Sequence, residues 1–190
     1  MAQGLVIARV LIGKTYEAYV MIKKHYNREM VKKYNPLLND AAREAFSHFK
    51  RYFSNSNLIN AVRNKYAFHY SHDELAKILM QISPMDNLVF YLSQDSRNSF
   101  FCSAEKIVRD AMLEAIEPGN PSKAEEKLIN ETIQVADWLS IFLMWYMETV
   151  MMQYFGKSLE EMGAKEIKIP NPPRDTEIKL PYFLSFEEIK

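Results

Sequence analysis

An all-α fold is what this sequence predicts: a helical bundle with a small hairpin or extended excursion near residues 87–102 and an extended C-terminal arm. Apolar residues recur three and four positions apart through most of the chain, the spacing that lines one side of a helix. Capping patterns and clusters of Asn, Ser, Pro or Gly cut this periodic text into helix-length pieces. A long stretch after Pro121, free of Pro and Gly until Gly156, is apolar enough to form the spine of such a bundle. With 48% of its 190 residues apolar or aromatic, the chain can bury one substantial core. The expected division is a bundle domain over 1–163 and a proline-containing arm over 164–190.

The first helix is expected from Leu5 to Lys33, with Val6, Val10, Gly13, Tyr16 and Val20 on its apolar side. Asn35-Pro36 stops it, because a proline disfavours helical geometry in the residue before it. Asn39 or Asp40 caps a second helix reaching Phe53, and the Ser54-Asn55-Ser56-Asn57 cluster competes for backbone hydrogen bonds and breaks the chain there. A short third helix covers Leu58 to Tyr66. Ser71 with Glu74 has the form of a capping box and opens a fourth, running to Ile82 before Ser83-Pro84. Two short aromatic and β-branched runs around a polar turn give the excursion near 87–102. Ser103 caps a helix to Glu117, and the loop Pro118 to Pro121 ends it. Ser122 with Glu125 forms a second capping box that opens the long helix, closed near Gly156. Within that helix Leu128, Val135, Leu139, Phe142 and Tyr146 share one side. With Met144, Met147, Met151 and Met152 beside it, this stripe is core or subunit interface. The tail from Glu166 carries four prolines and alternating apolar residues, which makes it extended.

Charge is balanced overall but not along the chain. Residues 1–70 carry twelve Lys and Arg against four Asp and Glu, and the remaining residues twelve against twenty. The basic part forms either one positive face that would attract a polyanion or ordinary solvated helix faces, as at Lys23, Lys24, Lys32 and Lys33. A single cysteine, Cys102, excludes an internal disulfide framework and fits a reducing compartment. No secretory leader opens the chain and no apolar run is long enough for a bilayer, so a cytoplasmic protein without membrane contact is expected.

Several motif-like stretches carry no chemistry. Ile12 to Thr15 reads "IGKT", yet a phosphate loop needs a glycine where Ala8 stands, and a preceding strand. Glu44 and His48, four apart, make a helix-face pair, and no second such pair completes a metal site. No metal and no cofactor are expected. His25 and Cys102 lack activating neighbours in sequence.

The stretch Asn60 to Glu74, "NAVRNKYAFHYSHDE", differs in kind. Arg63 offers a permanent planar cation, Asn64 an amide, and His69 an imidazole that exchanges a proton near neutral pH. These are the parts phosphate chemistry uses. Six residues of unbroken helix turn about 600°, so Arg63 and His69 converge only if the helix breaks between them or a second subunit supplies the partner. The capping box at Ser71 argues for the break and sets His69 just before a helix N-terminus, where anions are favoured. In the alternative reading Arg63 and Asn64 cap a helix end, while His69 packs among Tyr66, Phe68 and Tyr70.

Arg63-Asn64-Lys65-Tyr66-Ala67-Phe68-His69 resembles the signature of the HEPN superfamily, all-helical domains of many prokaryotic toxins and antiviral ribonucleases: an arginine, a polar residue, then a histidine four to six residues after the arginine. Gly13-Lys14-x-x-Glu17-Ala18 in the first helix extends the resemblance over the first half of the chain. It implies a homodimer whose two motifs meet across the interface and cleave single-stranded RNA without metal. His69 would deprotonate a ribose 2′-hydroxyl, Arg63 would stabilise the charged phosphorane, and Asn64 would orient the phosphate. His69 or Arg63 of the partner subunit would assist the leaving oxygen. Lys65, Tyr70 and His72 flank the motif as RNA-binding residues. The setting implied is toxin–antitoxin or antiviral defence, with an antitoxin or other regulatory protein as partner. Ser71 stands where partner-modified members carry a tyrosine, a departure from that branch. The other implication is a catalytically silent HEPN-like module that binds RNA, nucleotide or a protein.

Overall fold

The structure, a computed structural model, describes residues 2–67, 72–80 and 102–165. Within these the fold is all-α: α1 (Ala2–His25), α2 (Arg28–Tyr34) with a following 3-10 turn (Asn35–Leu37), α3 (Asp40–Phe53), α4 (Leu58–Val62) continued by a π turn (Arg63–Ala67), α5 (His72–Leu79), α6 (Cys102–Ile116) and α7 (Pro121–Phe155). The excursion expected near 87–102, apart from Cys102, which begins α6, and the arm expected over 164–190, apart from its first two residues, lie outside the described residues. No helix among the described residues is long and apolar enough to cross a membrane.

Three expectations need correction. The single helix over Leu5–Lys33 is two, because the Asn27 side chain accepts from the backbone N–H groups of Glu29 and Met30 and starts α2 afresh. The buried side of α1 matches the expected one only in part: Gly13 is buried and Tyr16 packs on the core, but Ile12 and Thr15 are buried too, whereas Val10 is 50% exposed and Val20 39%. The long helix is capped by Asn120, whose Oδ1 accepts from Lys123 N, with Pro121 in the first turn. Ser122 and Glu125 therefore make no capping box. Glu125 instead accepts from Arg109 of α6 at 3.2 Å.

Other boundaries follow local chemistry. Asn39 caps α3 through Ala42 N, and Gly156 ends α7 at φ 63°, the left-handed geometry a glycine adopts without Cβ conflict. α7 is the spine: α3 packs along it, and α1, α4 and α6 also lean on it. One core cluster joins Ile12, Phe49, Ile59, Val62, Tyr66, Met112, Leu128 and Val135, and a second joins Leu38, Ala42, Phe46 and Phe142. Burying each of the large side chains contributes about 1.5–3 kcal/mol. The stripe expected on α7 is the one used, with Leu128, Val135 and Phe142 buried and Leu139 and Tyr146 packed beside them. Met144, Met147 and Met152 stay exposed.

Candidate functional site

The motif is presented by a short helix whose N-terminus is tied down on every side. Asn57 Oδ1 accepts from Asn60 N at 2.8 Å, Glu131 of α7 accepts from Leu58 N at 3.3 Å, and the Tyr52 hydroxyl accepts from Ile59 N at 3.2 Å. Tyr52 in turn donates to Glu131 at 2.5 Å. Burial, then this hydrogen bond, push the Tyr52 pKa well above the usual tyrosine range, so the hydroxyl keeps its proton. The first N–H groups of a helix have no intrahelical partner. Supplying them from α3 and α7 anchors α4 to the rigid part of the bundle.

Beyond Val62 the backbone widens into a π turn over Arg63–Ala67. Such turns are rare and cost hydrogen-bond geometry, so tertiary contacts must hold them. Here Val62 and Tyr66 are both buried, pinning the turn to the core. The Tyr66 carbonyl accepts from Arg9 Nη1 at 3.4 Å. Arg9, buried on α1, also forms an ion pair with Glu105 of α6. The widened turn thus leaves Asn64 and Lys65 exposed and Arg63 half-buried at the surface.

Arg63 is held in one orientation. Its Nη2 donates to Glu17 Oε1 at 2.9 Å, its Nη1 donates to Asn64 Oδ1 at 3.0 Å, and its guanidinium lies 4.8 Å from the centroid of the Tyr16 ring. Asn64 is fixed from the other side, donating through Nδ2 to Asn60 Oδ1 at 2.7 Å. Arg63 Nε is shielded from solvent and has no acceptor among the described residues. A planar donor group thus stands pre-oriented, and it is the second N–H on each Nη, not the shielded Nε, that is left for an anion.

Of the residues expected at the site, the structure joins Arg63 and Asn64 and sets Lys65 beside them. His69 and Tyr70 lie outside the described residues, as does Ser71; His72 begins α5, and its side chain is likewise outside. Glu17, Tyr16 and Asn60 complete the cluster without having been expected there. Each figures in the sequence for another reason: Asn60 as the start of the motif stretch, Glu17 in the first-helix segment of the resemblance, and Tyr16 on the apolar side of that helix. Elsewhere, Glu44 and His48 form the expected surface pair at 3.5 Å, with His48 stacked on Trp138. Among the described residues no cluster of His, Cys, Asp and Glu converges as a metal site. The chain matched no protein-family profile, no curated protein and no solved structure.

Proposed function

We propose that this chain is a metal-independent endoribonuclease of HEPN type that cleaves single-stranded RNA in the cytoplasm, at a site completed by a second copy of the chain. The observation that supports the reading is the fixing of Arg63 on a π turn, with Glu17 and Asn64 on its two Nη atoms and Tyr16 beneath it. A guanidinium held this way loses little freedom on meeting a phosphate and needs little reorganisation as charge grows there. In the reaction His69 takes the proton of the ribose 2′-hydroxyl, and the 2′-oxygen attacks phosphorus. Arg63 and Asn64 hold the phosphorane oxygens, and the 5′-oxygen leaves with a proton from His69 of the partner subunit. The products are a 2′,3′-cyclic phosphate and a 5′-hydroxyl.

Pairing is supported by exposed apolar surface on α1 and α7. Val10, Val20 and Met21 are exposed on the helix that supplies Tyr16 and Glu17, as are Leu143, Met144 and Met147 on α7. An isologous dimer would cover such a face and duplicate the motif. Roles in defence, and an antitoxin or regulatory partner, extend the same reading.

The test is cleavage of a mixed pool of single-stranded RNAs in chelator. His69→Ala removes the proton-transfer group and is expected to slow cleavage on the order of a hundredfold or more. Arg63→Lys keeps the charge but loses the planar fork, with a loss on the order of tenfold or more. Asn39→Ala, which uncaps α3 for about 1 kcal/mol, leaves the rate unchanged below the melting temperature. Arg63→Lys and His69→Ala proteins as active as the wild type would overturn the assignment. Wild-type protein that binds RNA yet leaves it intact would establish the silent binding module instead.

A further inference from the structure

The outer face of α3 carries a second feature that the motif does not use. Arg43, Ser47, Lys50, Arg51 and Ser54 recur at spacings of three and four, the opposite side from the buried Ala42, Ala45 and Phe49. With Asn35 of the 3-10 turn they line an open groove of about 450 Å³. Its floor is the Phe46 ring, only 5% exposed, with Lys50 Nζ lying 5.2 Å from the ring centroid.

The lining is rich in donors and holds no acid. Arg43 is pinned at the mouth, donating to the Leu38 carbonyl at 2.9 Å and to Asp40, which partly neutralises that carboxylate. Asn35 accepts from the Tyr26 hydroxyl through Oδ1 at 3.1 Å, which turns its amino group to other partners. Neither Lys50 nor Arg51 forms an ion pair with a described carboxylate. Both lie in the last turn of α3, where the helix dipole favours cations, and neither charge is spent on a described carboxylate.

We infer that this groove binds the phosphate backbone of single-stranded RNA, with Lys50 and Arg51 as its principal charge contacts and Asn35 and Ser47 as neutral donors. The inference rests on the RNA substrate proposed above. An acidic protein segment fits less well, because a protein partner is anchored by apolar side chains in desolvated pockets, and here the one ring is already covered by Lys50. Phosphates spaced along a flexible strand need only an open track of cations and small donors.

The test uses binding rather than cleavage. Fluorescence anisotropy is followed with a labelled 2′-O-methyl RNA of about twelve nucleotides, within the span of known single-strand sites; lacking a free 2′-hydroxyl, it cannot be cut by the proposed route. Lys50→Gln/Arg51→Gln is expected to weaken binding on the order of tenfold at low salt. It should lower the slope of log affinity against log salt by about 1.4, since each single-strand phosphate contact contributes roughly 0.7. Lys127→Gln/Lys157→Gln, which removes the same charge from exposed positions elsewhere, leaves both quantities unchanged. Equal binding by the groove variant and wild type, or no binding by either, would overturn the inference. So would a polyglutamate of matched charge that binds as tightly through the same two residues, since the groove would then serve an acidic protein. A wild type that cleaves ordinary RNA while the groove variant binds normally removes the groove and leaves the ribonuclease. RNA bound through Lys50 and Arg51 but never cleaved does the reverse.

Discussion

Replacing Glu105 by glutamine tests what holds the π turn in place. Arg9 has a side chain only 7% exposed and Glu105 one 21% exposed, so their ion pair is largely out of water. Removing one charge from a buried pair costs about 3–5 kcal/mol, because the other is left uncompensated. Glu105 retains some solvent, and the amide can still accept from Arg9, which puts the expected loss near the lower end, about 3 kcal/mol. Set against a typical total of about 5–15 kcal/mol, that is a large share of the stability. For a chain of this size it lowers the melting temperature by roughly 6–12 °C. Replacing both partners by apolar residues, Arg9→Met with Glu105→Leu, removes the stranded charge. The remaining cost is the Tyr66 carbonyl, which loses its Arg9 donor, about 1 kcal/mol. Urea denaturation followed by circular dichroism therefore ranks wild type, double variant and Glu105→Gln in descending stability. A loss below about 1 kcal/mol for Glu105→Gln, the value of an exposed pair, would refute the reasoning, as would a double variant weaker than the single.

Three further outcomes follow from particular contacts. Tyr52→Phe removes the acceptor for Ile59 N and a donor to Glu131, and is expected to cost about 2–3 kcal/mol in urea denaturation; a loss of a few tenths would show that α4 is not anchored there. Burial pushes the Tyr26 hydroxyl up to about 12 from its usual 10.0. Its folded pKa lies above the unfolded one, so its contribution is intact below about pH 10 and fades as pH rises through about 12. The stability gap between wild type and Tyr26→Phe should therefore narrow across that window, and a constant gap would contradict the assignment. Gly156→Ala meets no neighbouring atom within 4 Å, so its cost is purely that of holding alanine at φ 63°, about 1 kcal/mol. Gly156→Asn should recover part of it in thermal unfolding, since asparagine tolerates that geometry.

What could be read from the sequence is what local chemistry decides. α3 has a polar cap at Asn39 and one clean apolar side, and α7 has an unbroken stripe that ends at a glycine; both formed as expected. α1 is apolar on two sides, and spacing alone does not say which is buried; the choice of Ile12 and Thr15 over Val10 depends on α3, α4 and α7 packing against it. The split at Asn27 and the cap at Asn120 had visible signals, an asparagine in each case and a proline after the second, but competing periodicity and a better-known box at Ser122 obscured them. The π turn had none. It depends on Arg9 reaching the Tyr66 carbonyl from α1, a contact between residues far apart in the chain. At the candidate site the residue types announced Arg63 and Asn64. Glu17 and Tyr16, which orient the arginine, came from another helix and were not predictable from spacing.

The most direct test of the proposed function is the chemistry of the RNA ends. Purified wild-type protein and single-stranded RNA are incubated in excess chelator, and the fragments are analysed by mass spectrometry. Attack by the ribose 2′-hydroxyl, with His69 as base and Arg63 on the phosphorane, predicts 2′,3′-cyclic phosphate and 5′-hydroxyl ends that disappear with His69→Ala. Intact RNA, or fragments with 3′-hydroxyl and 5′-phosphate ends that form only when divalent metal is restored, would contradict it.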